Sequence, residues 1–131
     1  ALGGFDGLTW IEQGGDDPGV RAAWPEALGD MVLGRKDIGA GYVIASVVDD
    51  AAQGVTHVMR GEDLVEITSI QRVLQALLGL PAPVYRHHRL VLGPDGKRLA
   101  KRNRSETLRD LRERGVSAAQ VMTNLLLPLR E

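Results

Sequence analysis

The sequence predicts an α/β fold with a helical appendage, and three observations support it. Apolar residues recur at helical spacing in two segments, one beginning near residue 42 and one near residue 63. Short apolar runs separate these segments, as strands do in a parallel sheet. Glycine or proline follows each helical segment, where such residues commonly end a helix.

The elements follow in order from Asp30. The segment "DMVLGRKD" (30–37) predicts a short strand, and "GYVIASVVDDAAQG" (41–54) predicts a helix that ends near Gly54, although its β-branched residues favour a strand. The segment "VTHVMRG" (55–61) predicts a short buried strand. In the next helix, Thr68 and Gln71 have the spacing of a capping box, but an earlier start at Asp63 competes with them.

After this helix the sequence predicts a hairpin and two more helices. Gly79 ends the helix, and the run at 90–92 predicts a strand that leads into a turn with the sequence "GPDG" (93–96). Thr107 is expected to cap the first of the final helices and Ser117 the second. We therefore expect three segments: a loop-rich one at 1–29, a nucleotide-binding half-domain at 30–92, and a loop with helices at 93–131. In the first segment, Trp10 and Trp24 are expected to anchor the loop.

Composition narrows the possible functions. The 131 residues include 16 basic and 17 acidic ones, for a net charge of -1, which is unlike a protein that coats nucleic acid. The charge is uneven, since residues 1–30 carry a net charge of -5 and residues 86–104 a net charge of +6. The absence of cysteine excludes a disulfide and a cysteine zinc site, and it is compatible with a reducing compartment. No apolar run is long enough to cross a membrane.

Two residues are candidates for binding a substrate. Arg60 stands at the carboxyl end of a predicted strand, where α/β sheets bind their ligands, and its guanidinium could hold a carboxylate or phosphate in a bidentate manner. A salt bridge to Glu62, Asp63 or Asp37 is an equally good interpretation. Tyr42 opens the preceding helix and could offer a hydroxyl group, although such a tyrosine is more often a core residue. The three histidines, at 57, 87 and 88, lack the spacing of metal ligands and are interpreted as structural.

The basic loop at "PDGKRLAKR" (94–102) is the main candidate for an anion site. Lys97, Arg98, Lys101 and Arg102 flank a short apolar step, so their charges can converge on one point. Phosphoryl or nucleotidyl transfer needs such charge, because negative charge grows on the phosphate oxygens in the transition state. A solvated surface hairpin is the alternative.

These motifs, taken together, resemble the glutamyl class I aminoacyl-tRNA synthetases. The match rests on "YVIASVVDDAAQGVTHVMRGEDL" (42–64), "LQALLGLP" (74–81) and "YRHHRLVLGPDGKRLAKR" (85–102), the last of which contains a segment like the Lys-x-Ser-Lys-Arg signature of that family. The stretch "RHHRL" (86–90) is most similar to the short branch without an anticodon-binding domain, which transfers glutamate to queuosine in tRNA(Asp). The resemblance implies the C-terminal half of a Rossmann-like catalytic domain.

The resemblance also implies roles for individual residues. Tyr42 and Arg60 match residues that bind glutamate, and Lys101 matches the catalytic lysine that stabilises the ATP phosphates. Arg98 and Arg102 flank that lysine, and the backbone near Val91 and Leu92 would lie close to adenine. The implied substrates are L-glutamate, ATP with Mg2+, and tRNA(Asp). We expect no zinc in this chain, and a monomeric, cytoplasmic protein.

The sequence departs from the family pattern at three points. Ala100 replaces the signature serine, Arg98 replaces the first signature lysine, and a His-x-Gly-His-like segment is missing. We therefore expect that the chain is a C-terminal portion, inactive by itself. The alternatives are a fragment of a glutamyl-tRNA synthetase that charges the tRNA acceptor end, or a non-catalytic remnant that binds tRNA or nucleotide.

Overall fold

The computed structural model describes residues 7–92 and 107–126, with backbone alone for 124–126. The chain forms two compact units, residues 1–89 and residues 90–131. The elements of the first unit are β1 (Thr9–Glu12), β2 (Gly19–Ala22), β3 (Gly34–Arg35), β4 (Gly39–Ala40), α1 (Tyr42–Ala52), β5 (His57–Gly61), α2 (Val65–Leu78) and β6 (Val84–His88).

The first unit contains a mixed four-stranded sheet in the order β2-β1-β6-β5. Strands β1 and β2 form an antiparallel hairpin, whereas β6 runs parallel to both β1 and β5. Strands β5 and β6 are consecutive parallel neighbours joined through α2, which is the βαβ arrangement that the alternating sequence pattern predicts. The α/β fold class is confirmed.

The N-terminal segment contains more regular structure than the sequence predicts. Residues 1–29 were expected to be loop-rich, yet β1 and β2 lie there and β1 is an inner strand of the sheet. Trp10 is 5% exposed and does anchor this segment. Trp10 and the buried Glu12 lie on the same face of β1, which is the face that packs against the protein interior. Trp24 is 69% exposed, so the prediction that it anchors the loop is wrong.

The two long helices form the main apolar cluster. Val43 and Val47 of α1 pack with Ile70 and Leu74 of α2. The helix predicted at 41–54 is confirmed. Of the two starts considered for the next helix, the capping box at Thr68 is wrong, whereas the earlier start near Asp63 agrees with the structure. A 3-10 turn at Glu62–Leu64 starts the helical segment earlier, and Thr68 is a fully buried residue inside α2.

Two predicted strands differ from those in the structure. The strand expected at 30–37 is reduced to the two residues of β3, which pair with β4. In place of the strand expected at 90–92, the structure has a single β-bridge residue at Leu92, and β6, which was not predicted, begins six residues before this run. The apolar pattern does not indicate β6, because its buried positions are Tyr85 and His87, and a histidine gives no apolar signal.

The described residues of the second unit include two short helices, α3 (Leu108–Glu113) and α4 (Ala118–Leu126). Both predicted caps are confirmed. Thr107 and Asp110 exchange hydrogen bonds as a capping box, and Ser117 does the same with Gln120. The basic loop predicted at 94–102 lies outside the described residues. Of the helices that the structure describes, none has the length and apolar character needed to cross a membrane.

Candidate functional site

Arg60 lies near the carboxyl end of β5, as the sequence predicts. It is the fourth of five residues in a strand whose parallel neighbour is β6, with His87 directly opposite it in the register. Its side chain is half-buried, and its guanidinium carbon lies 5.1 Å from the centroid of the Tyr85 ring. An arginine over an aromatic face gains a cation–π attraction that helps to hold its orientation.

Hydrogen bonds fix one edge of the Arg60 guanidinium. Nε donates to His87 Nε2 at 3.1 Å, and Nη2 donates to Thr68 Oγ1 at 2.7 Å and to the Leu64 carbonyl at 3.3 Å. Within the described residues, Nη1 is the one guanidinium nitrogen without a hydrogen-bond partner. The Nε and Nη2 edge of the guanidinium therefore faces the protein. A carboxylate ligand would contact Arg60 from the Nη1 end, and not through the Nε and Nη2 edge.

Asp37, one of the partners considered for Arg60, is engaged elsewhere. Both of its carboxylate oxygens accept from Arg35, at 3.0 and 2.6 Å. Arg60 instead contacts an imidazole, a hydroxyl and a carbonyl, all of them uncharged groups. A guanidinium held in this way keeps its positive charge available to an anionic ligand.

Glu12 supports the other side of His87. Its Oε2 lies 2.5 Å from His87 Nδ1, and its Oε1 accepts from the His87 backbone N–H at 2.9 Å and from the Gly14 N–H at 2.8 Å. An arginine has no acceptor, so His87 Nε2 must be the unprotonated nitrogen and Nδ1 must carry the proton. The three residues thus form a chain of hydrogen bonds in which Arg60 donates to His87 and His87 donates to Glu12.

Burial and hydrogen bonding act in opposite directions on Glu12, which is 4% exposed. Burial by itself raises the pKa of this carboxyl group, but the hydrogen bonds from the His87 backbone, the His87 side chain and the Gly14 N–H together lower the pKa below its ordinary value. Gly14 is required here on steric grounds. A Cβ at that position would lie 2.2 Å from the His87 carbonyl oxygen.

A cavity of about 250 Å³ opens beside Glu12 and His87. It is lined by Glu12, Gly14, Gly15, Asp16, Asp17, Arg21, Glu62, Val65 and His87. Over residues 7–92 and 107–126, no group of three or more histidine, aspartate or glutamate side chains could hold a metal ion.

The other predicted site residues fall into three groups. Tyr42 is the first residue of α1 and is 58% exposed, and no hydrogen bond between described residues joins it to Arg60. Val91 and Leu92 are 49% and 56% exposed and belong to the second unit. Arg98, Lys101 and Arg102 lie outside the described residues.

The sequence interpretation missed Glu12 and Thr68, and it assigned His87 no function. A signal for Glu12 existed, because Trp10 and Glu12 stand two residues apart, which places them on one face of a strand. The same spacing joins Tyr85 and His87, whose rings stack with centroids 6.0 Å apart. His87 is buried and His88 exposed, so these adjacent histidines face opposite ways from the strand.

Comparison with known proteins identifies the relatives of the chain. Residues 19–128 match the family model described as "tRNA synthetases class I (E and Q), catalytic domain". The glutamyl-Q tRNA(Asp) synthetase of Rhodobacter capsulatus is 55% identical over 95 residues, which cover 72% of this chain and 34% of that protein. The enzyme of the same name from Symbiobacterium thermophilum is 50% identical over 101 residues, which cover 77% of this chain and 31% of that protein.

Glutamate–tRNA ligases are similar as well. Glutamate–tRNA ligase 2 of Jannaschia sp. is 44% identical over 118 residues, which cover 90% of this chain and 26% of that protein. A crystal structure of a glutamate tRNA ligase from Elizabethkingia meningosepticum, in complex with its amino acid, matches with a TM-score of 0.56 and 34% identity over 64% of this chain and 17% of that one. The chain thus spans about a third or less of the length of these relatives.

Proposed function

Since the chain belongs to the catalytic-domain family of the class I tRNA synthetases (E and Q), we propose that it forms part of an enzyme that activates L-glutamate with MgATP. A carboxylate oxygen of glutamate attacks the α-phosphorus of ATP, giving glutamyl-adenylate and releasing pyrophosphate. The match to the catalytic-domain family over residues 19–128 is the observation that carries this proposal. Localisation in the cytoplasm, where tRNA and ATP are available, belongs to the same proposal.

The site residues receive the following roles in this proposal. Arg60 binds a carboxylate of glutamate from its Nη1 end, which its other hydrogen bonds leave available. Tyr42 contributes its exposed hydroxyl group to the same substrate. Lys101 stabilises the ATP phosphates with help from Arg98 and Arg102, and the backbone at Val91 and Leu92 contacts adenine.

An Arg60→Ala substitution in the full-length protein tests the glutamate role. We expect the KM for glutamate in ATP–pyrophosphate exchange to rise by about tenfold to a hundredfold, because a hydrogen bond to a charged group contributes about 1.5–3 kcal/mol. The KM for ATP should change little. Arg35→Ala is the matched control, since Arg35 is an exposed arginine of the same unit that pairs with Asp37. An unchanged KM for glutamate in the Arg60 variant would reject this role.

For the second step we propose transfer of glutamate to queuosine in the anticodon of tRNA(Asp), and we propose that the full-length enzyme acts as a monomer. Relatives named glutamyl-Q tRNA(Asp) synthetase, at 55% and 50% identity, support this acceptor. Incubation with radiolabelled glutamate should label queuosine-containing tRNA(Asp) and leave queuosine-free tRNA(Asp) unlabelled.

The second candidate function is transfer to the acceptor end of tRNA(Glu), as in the glutamate–tRNA ligases that the chain also resembles. Labelling of tRNA(Glu) in place of tRNA(Asp) would establish this alternative. If the full-length protein shows no glutamate-dependent exchange, the remaining interpretation is a non-catalytic module that binds tRNA or nucleotide.

A further inference from the structure

We infer that the buried pair of Glu12 and His87 positions Arg60. The pair fixes the direction in which the guanidinium presents Nη1 to a carboxylate ligand. This inference rests on the proposed function for the identity of the ligand, since glutamate supplies the carboxylate. It concerns two residues that lie 75 positions apart in the sequence and meet across the parallel pair of β1 and β6.

The first step of the argument is the direction of the hydrogen bonds. Arg60 Nε can only donate, so His87 must present a lone pair at Nε2 and a proton at Nδ1. Glu12 enforces this tautomer, because its Oε2 accepts from Nδ1 at 2.5 Å. With the proton on Nε2 instead, two donors would face each other across 3.1 Å, and the contact with Arg60 would be lost.

The second step is the rigidity of the support. His87 and Glu12 are 2% and 4% exposed, and the glutamate carboxylate also accepts two backbone N–H groups. Thr68 completes the cradle, since its hydroxyl accepts from Arg60 Nη2 at 2.7 Å and lies 3.4 Å from His87 Nε2. The imidazole and the hydroxyl together occupy the Nε and Nη2 edge of the guanidinium, so rotation of that group would break both hydrogen bonds.

The third step is the charge. Glu12 is anionic and Arg60 is cationic, but a neutral imidazole separates them. The carboxylate stabilises the cation through the imidazole without occupying the Nη1 end that a ligand would use. A direct carboxylate partner of Arg60 would compete with that ligand, whereas this indirect one does not.

Two substitutions of His87 in the full-length protein form a matched pair for the test. Both remove the ring that stacks on Tyr85, so both should lose similar packing. In His87→Gln the longer amide can place its oxygen where Nε2 stood and accept from Arg60. In His87→Asn the shorter amide can place its N–H where Nδ1 stood and donate to Glu12, but it leaves Arg60 Nε without an acceptor.

We expect His87→Asn to raise the KM for glutamate in ATP–pyrophosphate exchange by about tenfold, as one lost charge-assisted hydrogen bond does, and His87→Gln to raise it by much less. The KM for ATP should stay the same in both variants, and thermal melting should show similar losses of stability. A purely structural role would instead lower kcat in both variants, through a smaller folded fraction, and leave the KM for glutamate unchanged. Equal KM values in the two variants would overturn the inference.

A second measurement does not depend on activity. In 15N NMR spectra of the full-length protein at neutral pH, His87 should show the neutral tautomer protonated at Nδ1, and Glu12→Gln should alter that signal. A His87 protonated at Nε2, or at both nitrogens, would contradict the inference even if the enzyme activates glutamate. Absence of any glutamate-dependent exchange from the unmodified protein would instead reject the proposed function and leave the NMR result to decide the inference.

Discussion

Glu12 illustrates how one buried carboxylate can link distant parts of this chain. It contacts the Gly14 turn on one side and the backbone and ring of His87 on the other. A buried carboxylate is costly unless hydrogen bonds satisfy it, and here the N–H groups of Gly14, of the His87 backbone and ring and, at 3.5 Å, of the Trp10 indole do so. The same contacts make the folded protein sensitive to the protonation of Glu12.

The pH dependence of stability should reveal this contact. Burial raises the pKa of Glu12, but the hydrogen bonds of His87 and Gly14 outweigh it and set that pKa below the ordinary value of 4.5. A lowered pKa means that the ionised carboxylate favours the folded state. Its contribution is therefore present above about pH 4.5 and is lost as the pH falls through the lower, folded-state pKa.

Glu12→Gln should thus destabilise the full-length protein by about 2 kcal/mol at pH 7, and the difference from the unsubstituted protein should shrink towards pH 3. Urea unfolding of both proteins at several pH values measures that difference. The other carboxylates titrate in both proteins, so their effect on stability cancels in the difference. Glu26→Gln, at an exposed position, should show no such pH-dependent difference. A constant difference from pH 7 to pH 3 would contradict the role given to Glu12.

At the scale of elements, the end of α2 is determined by local sequence. Gly79 adopts a left-handed conformation with φ 64°, and the N–H of Leu80 donates to the Gln75 carbonyl at 2.8 Å. This is the Schellman arrangement, and Leu80 then packs on the cluster formed by α1 and α2. The glycine therefore ends the helix and directs the chain back to the core.

Gly79→Ala should lower the free energy of unfolding by about 1 kcal/mol, because a Cβ disfavours the left-handed conformation. Apart from the adjacent residues, no atom of the described part of the chain lies within 4 Å of the position that the new Cβ would occupy, so the cost is one of backbone conformation and not of a clash. Gly79→Asn is the matched variant and should cost less, since asparagine tolerates this conformation better. Chemical denaturation of the three proteins measures both differences, and equal costs would exclude this explanation.

Features that depend on neighbouring residues could be predicted from the sequence, whereas contacts between distant residues could not. Helix α1, strand β5 and the caps at Thr107 and Ser117 depend on residues a few positions apart, so local patterns indicated them. The hydrogen bond between Glu12 and His87 joins residues 75 positions apart. The spacing of Trp10 and Glu12 places them on one face of a strand, but no local pattern indicates that His87 is the partner of Glu12. Strand β6 was missed for the same reason, since one of its two buried positions is a histidine that needs Glu12 as a partner.

At the scale of the whole molecule, the residues to which we assign roles are spread along the sequence. Arg60 lies in the first unit, the predicted signature loop follows residue 89, and the His-x-Gly-His-like segment expected from the family is not in this sequence. The chain spans 34% or less of the curated relatives described above. Kinetic tests of these residues therefore belong in the full-length protein.

Lys101→Ala in the full-length protein should slow glutamyl-adenylate formation by about tenfold to a thousandfold, because Lys101 is proposed to stabilise charge that develops on the phosphates in the transition state. An interaction made mainly in the transition state lowers kcat more than it weakens binding, so the KM for glutamate should stay nearly constant. Single-turnover kinetics with rapid quenching measure the activation step directly. Lys97→Ala removes the same charge from the same loop outside the signature and should have a much smaller effect. If the two lysine variants slow activation equally, the loop acts through its overall charge, and the specific role of Lys101 is wrong.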